Sequence, residues 1–376
     1  MLKLLISCLK DEAYFFMDLE DSRYLDICEE GCASVMEYLK LKGISADKRL
    51  FLFIDEIQYL SNPSSFIKIM HDHYEKVKLI VSGSSSFEIR SKFKDSLVGR
   101  TVTFELFPLS FEEFLIFKEK KYNLKEAGSS SVLSKELSRL YSEYALFGGY
   151  PKIVLADSGE KKEAYLQQII DTYIKKDIRD LAKIRDIVKF NKFISALSAQ
   201  SGQLININEL SGTTGLARKT IEHYLFILEN TYIIKLLFPY SRNIRSELYK
   251  TPKIFFYDTG LLHMLHLKMI PSVLTGHSFE TSVFSEFIKN TKRDTLFYWR
   301  TQDKKEIDFI YTGSGKAIPF EVKLNAASLK TTALYYFREK YNTASSYCVR
   351  MEGPADQKNI YIDYIYPWEI KRVTTV

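Results

Sequence analysis

Two sets of carboxylates in this chain have the types and spacing to handle phosphate and magnesium. The first closes an apolar run, FLFIDEIQ at 51–58, where Asp55 and Glu56 follow four apolar residues. A buried strand ending in two acids has the shape of a Walker B element, in which one acid holds Mg²⁺ through water and the next orients the water that attacks a γ-phosphate. The second set lies near the other end. EIDFI places Asp308 on one strand, and a Gly/Ser turn leads to a second strand that carries Glu321 and Lys323 in EVK. Alternation along a strand puts Glu321 and Lys323 on one face, where Asp308 of the neighbouring strand can meet them. Two carboxylates can hold Mg²⁺, which polarises a phosphate and lowers the pKa of its bound water, and the lysine can orient that water or stabilise developing charge. Glu280, on the amphipathic helix expected over FETSVFSEFIKN (279–290), would complete the site, and the same helix carries Glu286.

The first third reads as alternating strands and helices. Strands are expected at Tyr14–Leu19, Leu50–Asp55, Val77–Ser82 and Thr101–Leu106, with helices near Ser34–Lys42 and Pro63–Tyr74. Such alternation is the signature of a parallel sheet covered on both faces. VSGSSS (81–86) falls where the strand after FLFIDEIQ ends, so its hydroxyls are candidates to sense a γ-phosphate. In the middle of the chain, a helix, a polar step at INELSGTTG (207–215) and a long helix from Leu216 spell helix-turn-helix. Arg218, Lys219 and His223 fall near the start of its second helix, where contacts to nucleic acid would be made. Residues 232–258 read as a β-hairpin with a basic, Tyr-rich tip, which is a wing. Winged helices bind DNA and also serve as protein-protein modules, so both kinds of partner stay open.

Composition sets bounds. The 376 residues are 46% hydrophobic with mean hydropathy −0.15, as expected of a globular chain with room for two or three domains. No apolar run reaches the length of a membrane span, and Lys10, Asp11 and Glu12 end the first apolar stretch too early for a signal peptide. A cytoplasmic protein is expected. A net charge of +6 permits a nucleic-acid partner without demanding one. Cys8, Cys28, Cys32 and Cys348 show no C-x-x-C spacing, so idle or buried thiols are expected, and His71-Asp72-His73 reads as a solvated helix end rather than a metal site. No oligomer signature stands out.

FLFIDEIQ, VSGSSS, LVGR, PLSFEEFL, LFGGYP, TYIKKDI, FYDTGLL, YWR and EIDFI with EVK occur in this order along the chain. In that series the sequence resembles the prokaryotic AAA-type P-loop ATPases that carry a winged helix and a PD-(D/E)XK nuclease-like domain at the C-terminus. The resemblance implies an α/β multi-domain chain: an ATPase core over 1–115, a helical lid or connector over 116–180, a winged helix over 181–262 and a restriction-endonuclease-like domain over 263–376. It implies ATP and Mg²⁺ as cofactors, Asp55 as the Mg²⁺ acid, Glu56 as the water-orienting base and Ser84 as a γ-phosphate sensor. Arg100 is either an arginine finger or half of a surface ion pair. In the nuclease-like site Glu280, Asp308 and Glu321 would be metal ligands and Lys323 catalytic. One part of the pattern is missing: no G-x-x-x-x-G-K-[ST] occurs in these 376 residues, and the sequence opens on a segment that follows that loop in relatives. The expectation is therefore a truncated core with impaired ATP binding, its first strand missing from the gap between the strands at Val77–Ser82 and Thr101–Leu106. An Mg²⁺-dependent endonuclease and a non-catalytic binding module are the alternative readings.

Overall fold

The computed structural model describes residues 2–9, 12–44, 48–83, 97, 99–124, 131–178, 184, 186–241, 251–292, 294–353 and 361–374. The chain divides into two compact units, Met1–Glu105 and Leu106–Val376.

The first unit is built on three strands, β1 (Ala13–Asp18), β2 (Leu50–Asp55) and β3 (Val77–Val81), all parallel and in the order β1-β2-β3. Helices α1 (Leu2–Cys8), α2 (Ser22–Glu30), α3 (Cys32–Leu41) and α4 (Pro63–His73) accompany them. LFLFID forms the central strand because Leu50, Leu52, Phe53 and Ile54 are all buried, as a parallel strand covered on both faces requires. The core gathers Met17, Leu52, Ile54, Val35, Leu39 and Met70 from strands and helices alike. Cys28 and Cys32 are buried, free thiols within it.

Two expectations for this unit are corrected. The helix α2 precedes α3 although the sequence reading placed a helix only near 34–42; Asp21 caps it, accepting from the Arg23 backbone N–H. Thr101–Leu106 is not a strand. Its apolar residues alternate as in a strand, yet Val102 is 80% and Phe104 85% exposed, so no neighbouring layer rewards the extended pairing that the pattern suggested. Among the described residues the sheet ends at β3, and residues 101–106 do not pair with it.

The second unit opens with α5 (Phe111–Phe117), α6 (Ser131–Phe147), α7 (Pro151–Val154) and α8 (Gly159–Ile169), which runs on into a π-helix at Ile170–Ile178. Next come α9 (Ile187–Ser198), α10 (Ile207–Thr214) and α11 (Arg218–Asn230), followed by an antiparallel pair, β4 (Ile234–Leu237) and β5 (Lys253–Phe256). INELSGTT is thus a helix and not a polar step. Asn206 caps it by accepting from the Glu209 backbone N–H, and Gly215 ends it at φ 67°, a conformation glycine adopts without strain.

Helices α12 (Thr259–Leu267) and α13 (Gly276–Asn290) lead into a five-stranded sheet of β6 (Leu296–Arg300), β7 (Glu306–Tyr311), β8 (Ile318–Asn325), β9 (Ser346–Glu352) and β10 (Ile362–Ile365), with α14 (Thr332–Tyr341) before β9 and α15 (Ile370–Thr374) at the end. The strand order is β10-β9-β8-β7-β6; β8, β9 and β10 run parallel, while β6 and β7 pair antiparallel. α13 is not amphipathic as expected, for Ser278, Phe279 and every residue from Thr281 to Phe287 are buried. It is the central helix of the unit. Phe284 stacks on Phe255 of β5 with centroids 4.5 Å apart, and Phe287 meets Phe309 and Phe320 of the sheet. Each ring so buried stabilises the fold by about 1.5–3 kcal/mol, which makes α13 a rigid carrier for Glu280. Beyond β4, the Tyr240 backbone N–H donates to Tyr298 O at 2.6 Å, so this strand's continuation runs along β6.

Candidate functional site

At the C-terminal end of the first sheet, β1 and β2 stop in register at Asp18 and Asp55. Ser82, just past β3, donates its hydroxyl to Asp55 Oδ1, and its backbone N–H bonds Ile54 O at 2.9 Å. The Glu56 backbone N–H donates to Asp55 Oδ1 at 3.1 Å. Glu56 itself sits at φ 54°, a left-handed turn that swings its side chain to accept from Gln58 Nε2. Asp55 thus stands at the strand end beside a hydroxyl. Glu56 is turned toward a neighbour in its own chain. Ser84 lies outside the described residues. Arg100 forks onto Asp72, with Nε 2.9 Å from Oδ1 and Nη2 3.2 Å from Oδ2, and its guanidinium pKa is raised by that pairing. Asp72 also meets His71 Nδ1 at 3.0 Å, and the hydrogen bonds from Arg100 first and His71 second hold its carboxyl down at about 2.

The acids of the second unit converge more closely. β7 and β8 are in register from Tyr311↔Ile318 to Phe309↔Phe320. At the next residue along β7 the Asp308 carboxylate takes the Val322 backbone N–H at 2.7 Å, in place of a ladder bond. Alternation then brings Lys323 Nζ to 3.0 Å from Glu321 Oε1 and 3.4 Å from Asp308 Oδ2, and the Asp308 N–H points at Glu321 Oε2 at 3.4 Å. From α13, Glu280 meets Lys253 Nζ of β5 at 3.4 Å, and Lys253 also pairs with Glu306 at 2.6 Å. Glu306 in turn receives Arg300 of β6 at 3.2 Å. Gly202, at φ 79°, lets the backbone pass close to Glu280; a Cβ there would stand 3.4 Å from Oε2. A cleft of about 410 Å³ is lined by Gly202, Lys253, His277, Glu280, Arg300, Glu306 and Asp308 among others, with Glu321 and Lys323 behind Asp308.

Burial and the charge of Asp308 push Glu280 up to about 7 and Glu321 up to about 8, although Lys253 and Lys323 pull in the other direction. Burial alone would lower the two lysines, but the surrounding carboxylates outweigh it and raise both. The structure therefore brings Asp308, Glu321 and Lys323 together and sets Glu280 beside them through Lys253. Among the described residues, no three acidic, His or Cys side chains stand close enough to hold a metal ion jointly. A lysine ammonium fills the space between Asp308 and Glu321. Hard carboxylate oxygens suit Mg²⁺, which needs only one or two of them beside water and substrate phosphate, so the donor chemistry fits while a three-carboxylate cage is not formed.

On α11, Arg218, Lys219 and His223 are exposed, and Arg218 Nε pairs with Glu222 at 3.1 Å, one turn along. The tip that should join β4 to β5 lies outside the described residues.

Sequence reasoning missed a buried polar hub around LFGGYP and FYDTGLL. Asp258 accepts from the Gly149 N–H at 2.8 Å and the Leu261 N–H at 2.9 Å. Glu286 accepts from the Phe111 N–H at 3.0 Å and from the Tyr144 hydroxyl, and Lys289 donates to Leu109 O at 3.0 Å. Burial raises both carboxyls and lowers the lysine. His263, also lowered by burial, bonds Leu146 O and Ser278 Oγ through its two nitrogens. The only signal for this hub was the recurrence of glycine beside charged or aromatic residues.

Comparison with known proteins finds three family models along the chain. Residues 1–115 match the family model of an AAA domain, so the first unit is of an AAA ATPase-like class. Residues 138–272 and 275–370 match two domains of unknown function, DUF8612 and DUF4143. The chain is similar to uncharacterised proteins of Methanocaldococcus jannaschii (28% identity over 82% of this chain and 68% of the relative) and Haemophilus influenzae (28%, over 81% and 74%). It is also similar to an uncharacterised protein of Mycobacterium tuberculosis, at 27% identity over 76% of this chain and 60% of that relative. Among solved structures, the Walker-type ATPase of Pyrococcus abyssi shows a remote likeness, with a TM-score of 0.37 and 11% identity over 63% of this chain and 67% of that one. No described helix is long and apolar enough to cross a membrane.

Proposed function

We propose that this is a DNA-associated protein of AAA ATPase type whose first unit meets nucleotide through magnesium at Asp55. The observation that carries this is the end of the AAA-like sheet, where Asp55 is fixed by the Ser82 hydroxyl and the Glu56 N–H at the strand tips. The Mg²⁺ side of a triphosphate would be met there, while the phosphate-cradling loop has no counterpart in these 376 residues. A helix-turn-helix arrangement at α10 and α11, with Arg218, Lys219 and His223 outward, supplies the contact to DNA or, failing that, to a protein partner. The test is a titration of the purified chain with a fluorescent ATP analogue, with and without Mg²⁺, beside Asp55→Asn. Binding that needs Mg²⁺ and is lost in the variant supports the reading; binding indifferent to both overturns it.

A second reading is favoured by the cluster of Asp308, Glu321 and Lys323: the cleft is an Mg²⁺-dependent phosphodiester site. Asp308 and Glu321 would hold the metal, which supplies Lewis acidity and an activated water when bound. Lys323 is placed to hold an anionic oxygen once released from its carboxylates, and Glu280 to carry or release a proton near neutral pH. Nicking of linear or branched DNA with Mg²⁺ or Mn²⁺, abolished in Asp308→Ala, is the expected result. Cleavage that survives Asp308→Ala excludes this cleft.

A further inference from the structure

YWR ends β6 at Arg300, directly across the ladder from Glu306 of β7 and about a third exposed at the mouth of the cleft. Among the described residues, Lys323, Lys253 and Arg300 in and beside this cleft differ in their freedom. Lys323 is held by two carboxylates, at 3.0 and 3.4 Å. Lys253 is 3% exposed and pinned between Glu280 and Glu306. Arg300 shares Glu306 with Lys253, and Lys253 is the nearer partner, at 2.6 Å against 3.2 Å. Arg300 can therefore turn away from Glu306 without leaving a bare buried carboxylate, the event that makes breaking an interior ion pair costly. His277 lines the same cleft and is exposed, Glu306 stands beside Arg300 at the mouth, and the interior holds Glu280 and Asp308.

A ligand that can draw Arg300 off Glu306 and also reach the acids through a cation carries negative charge at regular spacing. One phosphate would approach the acids with a cation between, and the next would meet the mouth. A guanidinium offers a planar fork of donors that fits phosphate oxygens with two bonds, which an ammonium does not. We propose that Arg300 is a positioning residue that binds a backbone phosphate of a nucleic-acid strand entering this cleft. The inference rests on the phosphodiester reading of the cleft and adds to it the group that sets where the strand lies. Arg300 touches a phosphate next to the reacting one and takes no part in bond breaking. Its removal therefore weakens strand binding and leaves the acids intact.

The test uses the full chain and a fluorescein-labelled single-stranded DNA oligonucleotide, followed by anisotropy in Ca²⁺ across a salt series, with Mn²⁺ binding followed by electron paramagnetic resonance. Arg300→Gln should weaken DNA binding about tenfold, the loss of one charge-assisted contact, and lower the slope of log K against log salt by about one. Arg300→Lys should recover part of the affinity. Mn²⁺ binding should persist in Arg300→Gln and fail in Asp308→Asn. An affinity and salt slope unchanged in Arg300→Gln would overturn the proposal even if the wild-type chain cuts DNA. If the chain neither binds Mn²⁺ nor cuts, yet Arg300→Gln still loses affinity and slope, the phosphodiester reading falls while the strand-binding role of Arg300 stands. A wild-type chain that fails to bind the oligonucleotide at low salt overturns both.

Discussion

Glu280 and Glu321 carry protons into a range where ordinary glutamates have lost them, because burial and the nearby Asp308 charge disfavour a further negative charge. With values of about 7 and about 8 against 4.5 for the ordinary group, the folded state binds more protons than the unfolded one across that window. Stability contributed by this proton uptake is full below pH 4.5 and is lost as pH rises toward 8. Each proton in its window is worth up to about 1.4 kcal/mol per pH unit. In EDTA, urea unfolding of the wild-type chain should show stability falling from pH 6 to pH 8, and the Glu280→Gln, Glu321→Gln double variant should show a flatter line. Equal slopes in the two proteins would mean that these carboxyls are not protonated as their surroundings dictate. The Asp308, Glu321 and Lys323 grouping was legible beforehand, since a two-residue period and one hairpin suffice to bring them together. Lys253 was not, because it comes from β5, more than forty residues before the strands it meets, and no local pattern marks it; Arg300 and Glu306 stood in the quoted YWR and EIDFI without a role.

At the scale of elements, the joint between α6 and α12 depends on atoms that glycine leaves out. Gly148 sits at φ 81°, and a Cβ there would lie 2.1 Å from Asp258 Oδ1; at Gly260 it would lie 2.0 Å from Phe147 O. Backbone blocks the second site outright. At the first, the obstacle is a carboxylate already fixed by two backbone N–H groups, so it cannot swing aside cheaply. Gly148→Ala should destabilise the second unit by about 3 kcal/mol or more, a size reserved for strain or a broken buried network, whereas Gly212→Ala, inside helix α10 where a Cβ meets nothing within 4 Å, should be neutral or slightly stabilising. Chemical denaturation of the two variants compares them directly; similar losses would show that close packing at Gly148 is not what holds the joint. The parallel strands were readable to within a residue at each end, because β2 is a continuous apolar run and β1 and β3 flank it. Thr101–Leu106 misled because alternation specifies a strand only when a partner and a covering layer exist. INELSGTT misled because its composition is that of a turn, while Asn206 and Gly215 supply both ends of a helix.

For the molecule as a whole, the decisive balance is between the two halves of a triphosphate site. In such a site the backbone N–H groups and lysine of a glycine-rich loop hold the β- and γ-phosphates, and the strand-end acid holds magnesium. This chain carries the acid, with Ser82 beside it, but no G-x-x-x-x-G-K-[ST] among its 376 residues. A water-mediated magnesium contact and one hydroxyl amount to few charge-assisted bonds, each worth roughly 1.5–3 kcal/mol. Affinity of the purified chain for MgATP should then sit near a Kd of about 1 mM, or about 4 kcal/mol of binding free energy, and vanish in EDTA and in Asp55→Asn. A Kd of about 1 μM requires twice that free energy, more than the groups at the ends of β1, β2 and β3 can supply. Micromolar binding would therefore mean that a phosphate cradle exists elsewhere in the chain, and would move the nucleotide site away from Asp55.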